Sequence, residues 1–211
     1  MNGYMKPQDI EKRSFEIITA ELGERTFPAG IAEVVKRVIH TTADFDYADS
    51  LAFSPDVIEK AKAALAAGAT VVTDTNMALS GVSKVPLAKL GGKAVCLMAD
   101  EQVASEAKAR GVTRAVVSLE HAAQLEGPLI FAIGNAPTAL IRLHELIEEG
   151  IVAPALVIGV PVGFVNVVEA KELFIGGNTP YIIARGRKGG SNVAASIVNA
   201  LLYQMLHREG F

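Results

Sequence analysis

"PLIFAIGNAPTALIRLHELIEEGIVAPALVIGV", residues 128–160, decides the fold. It opens on an apolar run that ends at a glycine, passes through the helical pattern "APTALIRLHELIEEG" (136–150), and closes on a second apolar run, "PALVIGV" (154–160). A strand, a helix and a strand in that order form a βαβ unit, the connection that parallel neighbours require. Neither apolar run alternates with polar residues, so both faces of each strand are expected to be buried.

Working outward, similar runs occur at "ATVVTD" (69–74), "AVCLM" (94–98), "RAVVSL" (114–119) and "YIIAR" (181–185), which brings the expected strands to six. Helical patterns such as "DEQVASEAKARG" (100–111) separate most of them. Two helices are expected first, from about Pro7 to Leu22 and from about Pro28 to Ile39. A third is expected to follow the Ser54-Pro55 cap and close at Gly68, and "SNVAASIVNALLYQMLH" (191–207) is expected to end the chain. The expectation is an α/β fold in three α/β/α layers with a mostly parallel sheet, one domain over residues 1–211. On the first helix, Ile10, Ile17 and Ile18 mark the expected buried stripe, and Ser14 falls on it.

Of the 211 residues, 50 % are hydrophobic and 20 % charged, which marks a compact globular protein. The net charge of −3 offers no general attraction for nucleic acid, so an anionic ligand would need a local basic cluster. The start "MNGYMKPQDIEKRSF" has no apolar signal core, and no run approaches the roughly 20 apolar residues that span a bilayer. These features predict a cytoplasmic protein with no membrane partner. The single cysteine, Cys96, has no disulfide partner and is expected as a small buried hydrophobe in its strand. No H-E-x-x-H motif, no metal-ligand cluster and no G-x-S-x-G elbow is present, so no protein-bound metal is expected.

Ligands of such sheets bind beyond the carboxyl ends of the strands. Four unusual loops are expected there. "TDTNMALSGVSK" (73–84) brings Asp74, Thr75 and Lys84; "GNAPTAL" (134–140) has Asn135 placed to cap a helix and offer its free amides to an anion. "GVPVGFVNV" (159–167) has glycines suited to close approach by a flat ligand, and "ARGRKGGSNVAA" (184–195) gathers Arg185, Arg187 and Lys188 before two glycines. The last is not a Walker loop, whose lysine follows its second glycine, and no G-x-G-x-x-G follows the first strand. Among the histidines, His144 and His207 have ordinary helix-surface explanations and His121 follows a strand without a partner. His40 differs because Arg37 stands one turn before it at the end of a helix.

Taken together, "RVIHTTADF" (37–45), "TDTNMALSG" (73–81), "IGNAPTAL" (133–140), "ALVIGVPVGFVNVVEAKE" (155–172) and "GRKGGSNVAASIVNALL" (186–202) resemble the precorrin-8X (cobalt-precorrin-8) methylmutases of corrin ring synthesis, from about Ser14 to about Leu202. The resemblance implies a flavodoxin-like core, a homodimer, and a tetrapyrrole substrate, with or without cobalt. It implies an isomerisation that moves one methyl group from C-11 to C-12 in ring C, giving hydrogenobyrinate or cobyrinate. Such a shift carries its own methyl and electrons, so no cofactor is expected. The family's catalytic acid corresponds here to His40, and its substrate contacts to Ser14 and Arg37. Asp74, Thr75, Lys84, Asn135, Arg185, Arg187 and Lys188 are expected at the substrate from loop position. Two readings stay beside this one: a corrinoid carrier without chemistry, and a phosphate- or nucleotide-binding enzyme using "GRKGGS" and the amides of "GNAPT".

Overall fold

The structure, a computed structural model, describes residues 6–206. His207, expected at the end of the last helix, lies outside the described residues. In chain order the elements are α1 (Pro7–Leu22), α2 (Ile31–Thr42), α3 (Tyr47–Ser50), β1 (Leu51–Phe53), α4 (Val57–Ala66), β2 (Thr70–Thr73), α5 (Asn76–Gly81), α6 (Lys84–Lys89) and β3 (Lys93–Val95). There follow α7 (Glu101–Arg110), α8 (Arg114–Ala122), β4 (Leu129–Ile133), α9 (Pro137–Glu148), β5 (Leu156–Gly159), α10 (Val167–Glu172), β6 (Tyr181–Ala184) and α11 (Ser191–Met205).

The six strands form one sheet in the order β1-β6-β5-β4-β2-β3. All neighbours are parallel except β1, which runs antiparallel to β6 at one edge. If the parallel strands β2, β3, β4, β5 and β6 are counted as first to fifth, their order is 2-1-3-4-5, the flavodoxin-like arrangement. Its switch point falls between β2 and β4.

Strand alternation divides the core into two layers. Val71, Ile130, Ala132, Leu156, Ile158, Ile182 and Ala184 pack with α1, α2, α4 and α11 on one face. Val72, Leu129, Phe131, Ile133, Val157, Tyr181 and Ile183 pack with α8, α9 and α10 on the other. Every residue of β2, β4, β5 and β6 is buried, as unbroken apolar strands between helices require.

Several expectations are corrected. "RAVVSL" is not a strand: it opens α8, where Thr113 accepts a hydrogen bond from Val116 N and the buried residues Ala115, Ser118, Leu119 and Ala122 recur at helical spacing. Strand β1 was not anticipated, its three residues giving too short a pattern. Ser54 does not cap α4; its hydroxyl accepts from Tyr181 N, and Asp56 holds the cap position at φ 57°. Cys96 lies just beyond β3 and is half-buried. On α1 the buried stripe is Phe15, Ile18 and Leu22, while Ile10 and Ile17 are exposed. The helix is turned so that Glu11 and Phe15 meet α2, and the half-buried Ser14 donates its hydroxyl hydrogen bond to Ile10 O.

Candidate active site

The amphipathic helix α2 buries Val34, Val35, Val38 and Ile39, and the same face carries Arg37, which is only 7 % exposed. A guanidinium taken from water needs a charge partner, and Glu11 of α1 provides it at 2.5 Å. The guanidinium also lies over two rings, 4.7 Å from the centroid of Phe15 and 5.2 Å from that of Tyr203 on α11. One turn on, the His40 imidazole stacks against the other neighbour of this group, Phe15, at 5.2 Å and 19°. Burial, and then the Arg37 charge, hold His40 below its ordinary 6.5, while Glu11 pulls the other way. The free site therefore presents an imidazole that is largely neutral at pH 7 and is a stronger acid once charged.

Beyond α2 the chain turns at Ala43 in the left-handed region, and Asp44 and Asp46 both take Lys188 at 2.6 Å. These carboxylates raise the Lys188 pKa and tie the end of the His40 helix to the basic loop after β6. A second tie runs from Tyr203, whose hydroxyl meets Ser83 at 2.5 Å, while Asn199 of α11 accepts from Ser83 N and donates to Gly81 O. The loop after β2 is thus fixed to α11, as is Thr75, which caps α5 at Ala78 N and meets the Ser191 hydroxyl at 2.8 Å.

Asp74 takes a different place from the one expected. Its carboxylate is 1 % exposed and accepts from Gly134 N, Asn135 N and Ala136 N at 2.9, 2.8 and 2.7 Å. Burial pushes its pKa up and the three amides oppose that shift. Asp74 therefore fills the anion position at the start of α9 from across the switch point. Asn135 does not cap α9, whose cap position is Ala136, and its side chain is exposed. A reading that gave those amides to a phosphate loses them to Asp74.

The remaining loops pack closely. A Cβ on Gly189 would stand 2.0 Å from Val160 O, and one on Gly134 would stand 2.7 Å from Gly190 O. Gly190 N donates to Val160 O, and Gly163 N to Arg187 O. On this scaffold Arg185 pairs with Glu172 at 3.5 Å, and Arg187 lies 5.5 Å from the ring of Phe164. Phe164 and Val165 on the loop after β5 and Met77 on α5 after β2 stand 83 %, 77 % and 72 % exposed. Lys84 is on the outside, donating to Leu79 O.

The structure thus brings Arg37 and His40 into one α1–α2 seam with Glu11 and Phe15, ties the end of α2 to Lys188, leaves Arg185 and Arg187 outward, and shows Ser14 half-buried on α1 with its hydroxyl on Ile10 O. Glu11, Phe15 and Tyr203 were missed in the sequence because they come from α1 and α11 rather than α2, and no spacing links them to Arg37. Lys171 was missed as well: it is fully buried on α10 and donates to Gly186 O and Lys188 O, both at 2.8 Å. Burial lowers its pKa to about 8. A signal existed, since Val167, Ala170, Lys171 and Phe174 recur at helical spacing in the sequence and all are buried. Among the described residues no cluster of three or more His, Cys, Asp or Glu side chains could hold a metal ion, and no helix is long and apolar enough to cross a membrane.

The family described as Precorrin-8X methylmutase matches residues 9–204. A cobalt-precorrin-8 methylmutase of Salmonella typhimurium is 45 % identical, covering 97 % of this chain and 99 % of the relative. A precorrin-8X methylmutase of Pseudomonas aeruginosa is 42 % identical over 92 % of this chain and 94 % of its own. Among solved structures, the precorrin-8X methylmutase of Thermus thermophilus superimposes with a TM-score of 0.86 at 37 % identity, covering 94 % of this chain and 98 % of that one.

Proposed function

The chain belongs to the precorrin-8X methylmutase family, isomerases of cobalamin biosynthesis whose substrate is a tetrapyrrole, and from that premise we propose that His40 is the acid of a methyl shift from C-11 to C-12. The observation that carries this reading is the seam in which Arg37 and His40, on successive turns of α2, both pack on the Phe15 ring of α1, with the imidazole half-buried and its pKa lowered.

Proton transfer from the imidazolium to the macrocycle draws electron density from the migrating framework. The methyl leaves C-11 with its bonding pair and joins C-12, the ring double bonds shift, and the proton returns to His40. Atoms and electrons balance within the substrate, so the product is an isomer. A positioned acid of this kind is worth about 10² to 10⁴ in rate. The acetate and propionate arms meet Arg37, Arg185, Arg187 and Lys188, and Ser14 serves as a substrate contact beside Arg37. The apolar Phe164, Val165 and Met77 cover ring faces. Lys84 and the exposed side chain of Asn135 belong to the outer rim, and Thr75 and Asp74 act by holding the loops.

Purified protein mixed with metal-free and with cobalt-bearing precorrin-8 in separate reactions is expected to change the absorbance spectrum of at least one from precursor to product. Retention of both substrates with unchanged spectra would make the protein a carrier and overturn the assignment.

A further inference from the structure

Lys171 has no part in the reaction just described, yet its environment is unusual. It is fully buried, and burial is the cause of its lowered pKa, no carboxylate contributing. A buried ammonium without a counter-charge is costly and needs hydrogen-bond acceptors to offset its lost water. Here it is bound to the backbone of the loop that carries Arg185, Arg187 and Lys188. Its Nζ draws the carbonyls of Gly186 and Lys188 inward. The intervening carbonyl, that of Arg187, is taken by Gly163 N.

Among the described residues the peptide units are trans, so each N–H points opposite the carbonyl of its own unit. With the carbonyls of Gly186 and Lys188 turned toward Lys171, the N–H groups of Arg187 and Gly189 are turned away from it. Among the described residues these two amides donate to no acceptor. Gly186 at φ 75° and Gly190 at φ 141° supply backbone angles such a course needs. Two amides without a protein acceptor, the exposed Arg187 side chain and a buried positive charge nearby form a set complementary to a carboxylate.

We propose that Lys171 is a positioning residue for substrate binding, its ammonium holding the 186–189 backbone so that the Arg187 side chain and the amides of Arg187 and Gly189 face one carboxylate arm of the macrocycle. This rests on the reading that the loop after β6 receives substrate carboxylates. It goes beyond that reading by naming the residue that sets the loop's shape and two backbone donors that complete the carboxylate subsite.

The test is a double-mutant cycle in the full chain, with KM and kcat read separately. Arg187→Ala alone is expected to raise KM about tenfold with kcat within twofold. Lys171→Met is expected to raise KM by a similar factor, and Arg187→Ala is expected to add less than twofold in that background because the loop is already released. Lys171→Gln, which keeps donors on a shorter arm, is expected to fall between wild type and Lys171→Met, and carries the same cycle if the methionine variant does not fold. Amide exchange at residues 185–190 is expected to quicken at least tenfold in the Lys171 variants. An unchanged KM in Arg187→Ala overturns the loop reading and the proposal with it. A raised KM there, with KM unchanged in the Lys171 variants or with fully additive effects, overturns the role of Lys171 alone.

Discussion

At the scale of single residues, His40 is governed by neighbours of opposite sign. Arg37 and burial favour the neutral ring, and Glu11 favours the charged one. An acid must be protonated to act, so kcat/KM, which reports the free enzyme, is expected to fall as pH rises through a pKa below 6.5, tenfold per unit beyond it. The kcat profile is expected to fall at higher pH, because substrate carboxylates favour the imidazolium. Glu11→Gln removes the one charge that raises His40, so its kcat/KM limb is expected to move toward acid; a limb above pH 7, or one that Glu11→Gln leaves in place, contradicts this account. His40 and Arg37 stood out in the sequence because the motif at 37–45 carries them, and Ser14 entered as a substrate contact only through the wider resemblance. Glu11, Phe15 and Tyr203 were not legible, since cation–ring and ion-pair partners are chosen by packing between helices. The amide partners of Asp74 were hidden for a related reason: a carboxylate at a strand tip reads alike whether it faces a ligand or three amides of the next loop.

At the scale of elements, the loops after β4, β5 and β6 are set by backbone contact. Gly189→Ala would put a methyl 2.0 Å from Val160 O, an oxygen already engaged by Gly190 N. Since both sides are backbone, the loops must part, and a loss of about 3 kcal/mol is expected, roughly 10 °C in Tm for a chain of this size. Gly127, at φ 84° with open space around it, is the control, and Gly127→Ala is expected to lose about 1 kcal/mol from backbone strain alone. Equal Tm values for the two variants would show that the close approach is not a constraint. The glycines were visible in the sequence, but not which of them touch. Helix α8 shows the opposite limit: the β-branched pair Val116-Val117 imitated a strand, and only the longer spacing to Ala122 reveals the helix.

At the scale of the whole molecule, continuous apolar runs and intervening helical patterns were enough for the three layers and the parallel sheet, because burial on both faces leaves few other arrangements. The antiparallel edge strand β1 was not legible in three residues. The common direction of β2, β4, β5 and β6 puts the loop motifs that follow them at one end of the sheet, the end at which ligands of such folds bind. The homodimer that the family resemblance implies is a further expectation: sedimentation equilibrium is expected to give about twice the 22.2 kDa of one chain; a monomer at micromolar concentration would refute it. The claim on which the rest depends is that one imidazole drives the isomerisation. Single-turnover absorbance with His40→Asn, an uncharged replacement of similar size, tests it most directly. The account predicts that the variant binds the macrocycle with near-normal affinity and keeps its Tm, while conversion slows by about 10² to 10⁴; conversion at the wild-type rate would contradict it.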